Sequence, residues 1–190
     1  MSLPPAAARR HLHTRSIRCE GFERADGLYD IEASIVDTKP VAIDFPKRRR
    51  VEAGVPIHSM QLRLTIDDSL QVRDIEVNTD AAPHASCFSV APAYQTLIGA
   101  NLGRGFRRAV EQAVGGTKGC THLKELLMPA ASAAFQTLAG TPKQLQKFSP
   151  ESVDPDAPVP FFVDACKGWA RDGAAVQKFY PMYYKKKEEA

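Results

Sequence analysis

Apolar and polar residues alternate most regularly in two stretches of the chain. Between Thr14 and Lys39, Tyr29, Ile31, Ala33 and Ile35 alternate with polar neighbours, and Asp26-Gly27 supplies a turn between two extended runs, which predicts a β-hairpin. From His58 to Asp67 one face carries His58, Met60, Leu62, Leu64 and Ile66, and the other carries Ser59, Gln61, Arg63, Thr65 and Asp67. That is the pattern of a half-buried strand. Asp67-Asp68-Ser69 turns the chain into a further run, Leu70 to Thr79, whose apolar phase slips between Val72 and Ile75 and so predicts a bulge near Arg73. The two runs read as a second antiparallel hairpin. Pro40 to Gly54, with two prolines and the basic run Lys47 to Arg50, reads as a loop or edge segment.

Helical spacing takes over in the second half. Short helices are expected from about Pro92 to Ile98 and from Gly103 to Val114, ended by glycines, with Gly115-Gly116 as a strong stop. Thr121 to Leu138 places Leu123, Leu126, Leu127, Ala130, Ala131, Ala134, Phe135 and Leu138 at helical spacing, with Pro129 expected to kink the middle. Beyond Gly140 the chain is Pro-rich to Pro160 and then aromatic, with Phe161, Phe162, Trp169, Phe179, Tyr180, Tyr183 and Tyr184. Filling a core or a dimer seam is the favoured use of these rings, and lining a pocket for a flat substrate the other. The expected organisation is a flexible arm over 1–13 and an α+β core over 14–140, followed by an extension over 141–190 that packs on the core or on a partner subunit. In the core, a small antiparallel sheet of two hairpins is packed by C-terminal helices.

Composition narrows the function classes. A chain of 190 residues with 44% hydrophobic content is long enough for one substantial core. Apolar runs are too short for a bilayer span, and the opening MSLPPAAARRHLHTR lacks the apolar core of a secretory signal, so a cytoplasmic protein without membrane partners is expected. The net charge of +3 is spread thinly, which does not argue for nucleic acid as a partner. A small-molecule substrate and a second copy of the chain are the expected partners. The four cysteines, at 19, 87, 120 and 166, lack the close spacing of a disulfide framework, leaving packing, metal ligation or catalysis as their uses.

The candidate chemistry gathers on His58, Cys87, Cys120 and His122. His58 lies on the apolar face of its strand, where a ring needs a hydrogen-bond partner or a metal. Cys87 and Cys120 each precede a predicted helix, where N-terminal amides favour thiolate, the form that ligates metal or attacks carbon. His122 and Glu125 share one helical face, suiting a ligand with an adjacent acid or base. Two thiolates and two imidazoles would satisfy zinc, and a catalytic site would leave one position open. His84 is a substitute ligand. A small hydrophobe is the competing reading of each cysteine, and a ring satisfied by a backbone carbonyl that of His58. Asp26, Asp30, Glu32 and Asp37 form an acidic series read as turn chemistry and a solvated face, with Arg24 tying the turn beside Asp26. Cys19 and Cys166 read as structural.

The runs Arg24-Ala-Asp-Gly-Leu-Tyr-Asp-Ile31, His58-Ser-Met60 and Gly119-Cys-Thr-His-Leu-Lys-Glu-Leu-Leu127 resemble the signature blocks of a bacterial family of unknown function, over about residues 14 to 140. That resemblance implies no reaction. A weaker similarity links the order of hairpin, cysteine before a helix and later cysteine opening another helix to iron-sulfur cluster scaffold proteins. It implies a scaffold-like core in which His58, Cys87 and Cys120 take the places of three ligands, with His122 adjacent. The scaffold family's first cysteine and its Gly-Asp pair are absent here.

Four readings follow as expectations, the last of them a purely structural interaction domain with a satisfied Cys/His core. The first is a small metal-dependent enzyme of lyase or hydrolase type, acting on an aromatic or other small organic substrate. Zinc or iron is held by His58, Cys87 and Cys120 or His122 and polarises a substrate oxygen, and Glu125 or the histidine left free, His122 among them, moves a proton. The second is a non-catalytic metal or sulfur carrier of the scaffold type. The third needs no metal and uses Cys87 or Cys120 as a nucleophile beside a histidine.

Overall fold

The computed structural model describes residues 3–45, 50–147, 149, 159–160 and 162–186. Most of the basic run at 47–50, the Pro-rich stretch 150–158, Phe161 and the charged end 187–190 lie outside the described residues. The described chain is α+β and divides into two compact units, 1–135 and 136–190.

The first unit is built on a four-stranded antiparallel sheet in the order β1-β2-β5-β6: β1 (Thr14–Glu23), β2 (Tyr29–Thr38), β5 (His58–Ile66) and β6 (Val72–Ala81). Both predicted hairpins are present, joined through the β2–β5 pairing. Alternation decides their faces: Tyr29, Ile31, Ala33 and Ile35 of β2 and Met60, Leu62, Leu64 and Ile66 of β5 are buried. Between Thr65↔Asp74 and Ile66↔Val72 the register shifts, so that Arg73 is the extra residue of a bulge, as the phase slip predicts. The strand itself starts two residues later than its apolar run, because Leu70 belongs to the turn at φ +67°. Asp67 Oδ1 holds that turn by accepting the backbone N–H groups of Ser69 and Gln71. Pro40 to Gly54 carries a two-stranded ladder, β3 (Ile43–Asp44) with β4 (Arg50–Val51).

Helices follow the strands: α1 (Ala91–Tyr94), α2 (Phe106–Val114) and the long α3 (Thr121–Ala139), which crosses the division between the units. Tyr94, Phe106, Val110 and Val114 are buried, as are Leu123, Leu126, Leu127, Ala130 and Ala134, the stripe read from the helical spacing. Where α3 starts is settled by Tyr94. Its hydroxyl donates to the Cys120 carbonyl at 3.0 Å and accepts from the Cys120 N–H at 3.2 Å, pinning the residue that caps the helix. Gly119 is required beside it, since a Cβ there would stand 2.7 Å from Val114 Cβ and 3.2 Å from the Tyr94 hydroxyl.

In the second unit, α4 (Pro142–Lys147) and α5 (Ala174–Phe179) are short. Five of the described aromatic residues join a small apolar cluster in which Phe162, Trp169 and Tyr184 pack around Val163, Val176, Tyr180 and Tyr183, while Phe179 is exposed. The Phe162 and Trp169 rings meet edge to face at 5.0 Å. No described helix is long and apolar enough to cross a membrane.

Candidate functional site

Asp37 continues the inward phase of β2, two residues past Ile35, and is 2% exposed. A carboxylate there must be paired. Antiparallel register provides the partners, because Asp37 stands directly opposite Arg15 on β1 and His58 on β5. Arg15 grips both oxygens, Nε to Oδ1 and Nη2 to Oδ2, each at 2.8 Å. His58 Nδ1 lies 3.0 Å from Oδ2. His13, in the segment expected to be a loose arm, brings Nε2 to 3.2 Å from Oδ1 while its Nδ1 sits 3.1 Å from the Thr38 carbonyl.

The first turn of α3 closes the site. His122 stacks on His58 with ring centroids 3.8 Å apart, its Nε2 is 3.5 Å from Asp37 Oδ2, and Glu125 accepts from Arg15 Nη1 at 2.5 Å. The spacing of His122 and Glu125 thus does what helical geometry predicts, putting both on one face. Asp37 Oδ2, His58 and His122 form a group of ligand-type atoms all within 4.8 Å of one another. The Arg15 guanidinium holds the Asp37 carboxyl down at about 2, with His58 adding to the effect. Burial, reinforced by His58 and Arg15, pushes His122 below its ordinary value, against the smaller opposing pull of Asp37 and Glu125.

The predicted residues part company here. His58 and His122 meet; Glu125 reaches them by way of Arg15. Cys120 is buried with Sγ 3.8 Å from His122 Nδ1 and 3.6 Å from Met60 Sδ, on the far side of the His122 ring from Asp37. Cys87 is not in the ligand group. It lies inside a short 3₁₀ helix, Ala85–Ser89, donating its N–H to the His84 carbonyl, ahead of the Val90 that caps α1, and α1 has four α-helical residues before the chain tightens into a 3₁₀ turn at Gln95–Leu97, so the expected field of a helix N-terminus does not act on it. The three-ligand set that the scaffold resemblance implies therefore does not converge among the described residues. His84 is exposed and lines a hollow of about 250 Å³ with Phe45, Val51, Ile57, Pro83 and Phe88. Cys19 is half-buried in β1, and Cys166 is exposed.

Asp37 is the main correction. Grouped by composition with Asp26, Asp30 and Glu32 it reads as solvated, and those three do serve surface pairs, Arg24 with Asp26 and Asp30, and Arg63 with Glu32. Its phase separates it from them: 37 follows 29, 31, 33 and 35 in steps of two. Arg15 and His13 carried no such signal.

No curated protein and no solved structure matches the chain. Residues 13–136 match the family model described as "Protein of unknown function (DUF2889)", a span that runs from His13 past Glu125 and takes in every residue of the site, and the chain belongs to that family.

Proposed function

We propose that this chain is a small metal-dependent enzyme of hydrolase or lyase type, whose divalent zinc or iron ion is held by Asp37, His58 and His122. The observation that carries the reading is the convergence of two imidazole nitrogens and one carboxylate oxygen within 4.8 Å. Two ligands each about 2.1 Å from a tetrahedral ion lie roughly 3.4 Å apart, and the separations of 3.0 and 3.5 Å from Oδ2 bracket that value. Charge also supports it. Arg15 beside the site would oppose a cation, but Glu125 balances Arg15, so the Asp37 carboxylate leaves the Arg15–Asp37–Glu125 set one net negative charge to meet it.

A bound ion would supply Lewis acidity for a substrate oxygen. Arg15 fixes the plane of the Asp37 carboxylate, and the stack with His58 fixes the His122 ring. His13, at the exposed edge with 40% of its side chain accessible, is the residue suited to carry protons to and from solvent. The apolar hollow supports an aromatic or other small organic substrate, because its wall residue Ile57 precedes His58 and bonds the Asp37 carbonyl at 2.8 Å. The carrier reading has less support, since it needs clustered, accessible thiols and Cys120 is buried.

A metal-free acid–base centre is favoured by one observation: Oδ2 already lies within hydrogen-bond reach of His58 Nδ1 and in the Arg15 fork. Elemental analysis by plasma mass spectrometry separates the two. The expected result is stoichiometric zinc or iron in the wild type and in Cys87→Ser, lost in Asp37→Asn and His58→Ala. Wild-type protein that neither contains these metals nor takes them up on dialysis overturns the metal reading and leaves the acid–base one.

A further inference from the structure

Beside the Asp37 cluster, and facing the other nitrogen of the same ring, is a set of soft donors that the divalent site does not use. Met60 Sδ stands 3.6 Å from Cys120 Sγ, and Cys120 Sγ stands 3.8 Å from His122 Nδ1. Met60 is 1% and Cys120 7% exposed, and the His122 side chain is 21% exposed. We infer that Met60, Cys120 and Nδ1 of His122 form a site for a soft monovalent ion of the Cu(I) type.

Three lines of argument meet on these residues. The first is donor chemistry: a thioether, a thiol and an imidazole are the donors that select Cu(I) over hard cations, which find nothing to bind in sulfur. The second is spacing. Ligands at about 2.0–2.3 Å from an ion in a trigonal plane lie roughly 3.7–4.0 Å from one another, so the two observed separations need only a few tenths of an ångström of adjustment. The third is rigidity. Met60 is held in the middle of the sheet by pairing with Ile35 and Thr79, and Cys120 is held through both its backbone groups by Tyr94.

Cys120 also caps the 19-residue α3, its carbonyl accepting the Lys124 N–H at 2.9 Å, so the start of the helix dipole supports the thiolate in an ion complex. Binding replaces the Sγ–H bond with an Sγ–Cu bond, and the proton leaves to solvent; copper stays in the +1 state throughout. Ordinary core packing makes no demand for sulfur at position 60. Leucine fills nearly the same volume.

The test is anaerobic competition for Cu(I) between the reduced full-length chain and a chromophoric Cu(I) chelator, with Ag(I) as the redox-inert probe in a parallel titration. One ion per chain is expected, held about tenfold or more weakly in Met60→Leu and not at all in Cys120→Ser. Retained binding in Asp37→Asn is the result that separates this site from the divalent one, since that variant removes a donor from the hard set alone. Cys166→Ser, which removes the exposed thiol, is expected to match the wild type. A folded Met60→Leu protein, checked by circular dichroism, that binds Cu(I) and Ag(I) as tightly as the wild type overturns the inference. So does loss of binding in Cys166→Ser.

Discussion

Replacing Asp37 by asparagine keeps the shape of the side chain and removes its charge. In the folded chain the Asp37 carboxyl titrates at about 2 against an ordinary 3.8, chiefly because of the Arg15 fork. A difference of that size between folded and unfolded states corresponds to about 2 kcal/mol of stability at neutral pH. The residue is 2% exposed, so solvent screening removes little of it. The sign follows from the lowered value: the contribution is fully present above pH 4 and is lost as pH falls from there through about 2. Chemical unfolding of the metal-free protein, followed by far-ultraviolet circular dichroism with chelator present, should therefore find Asp37→Asn about 2 kcal/mol less stable at pH 7. The gap should close toward pH 2, where the protonated wild-type side chain is a near isostere of asparagine. Equal stability of the two proteins at pH 7, or a gap unchanged at pH 2, would refute the assignment of Asp37 as the charged hub of the site.

Arg15→Lys exchanges a two-pronged donor for a point charge that cannot hold both Asp37 oxygens and Glu125 together. A loss of about 1 kcal/mol in unfolding is expected, with the Asp37 carboxyl carbon titrating upward in a ¹³C NMR pH series. His122, half-buried beside His58 and Arg15, should titrate below 6.5 in long-range ¹H–¹⁵N spectra. Its lowered value means that it contributes stability above pH 6.5 that is lost on acidification through its own midpoint, and a midpoint at or above 6.5 would contradict the geometry. Tyr94→Phe strands the Cys120 N–H and carbonyl without their side-chain partner. It should cost about 1–3 kcal/mol in the same unfolding assay and weaken metal retention, since the His122 backbone follows two residues on. Gly119→Ala forces a methyl against Val114 and the Tyr94 hydroxyl and should destabilise by about 1–3 kcal/mol.

The strands of the sheet were determined locally. Period-two alternation in β2 and β5 reports which side chains face inward whatever the strands pair with, and it carries Asp37 and His58 into the buried phase with their apolar neighbours. The Arg73 bulge, the buried stripe of α3 and the shared face of His122 and Glu125 are local in the same sense. The site itself is not. It depends on the register that sets Arg15, Asp37 and His58 in one row across three strands, and on the docking of α3 that brings Glu125 to Arg15 across 110 residues of chain. A one-residue slip in either pairing would preserve the alternation of each strand alone yet put the partners on opposite faces. For the same reason Cys87 and Cys120 looked alike in sequence, each ahead of a helix. One sits in a short 3₁₀ helix ahead of a brief helical segment and outside the ligand group, and the other caps a long helix whose first turn packs against the sheet, because the length of the helix and the surface it meets are properties of the folded chain.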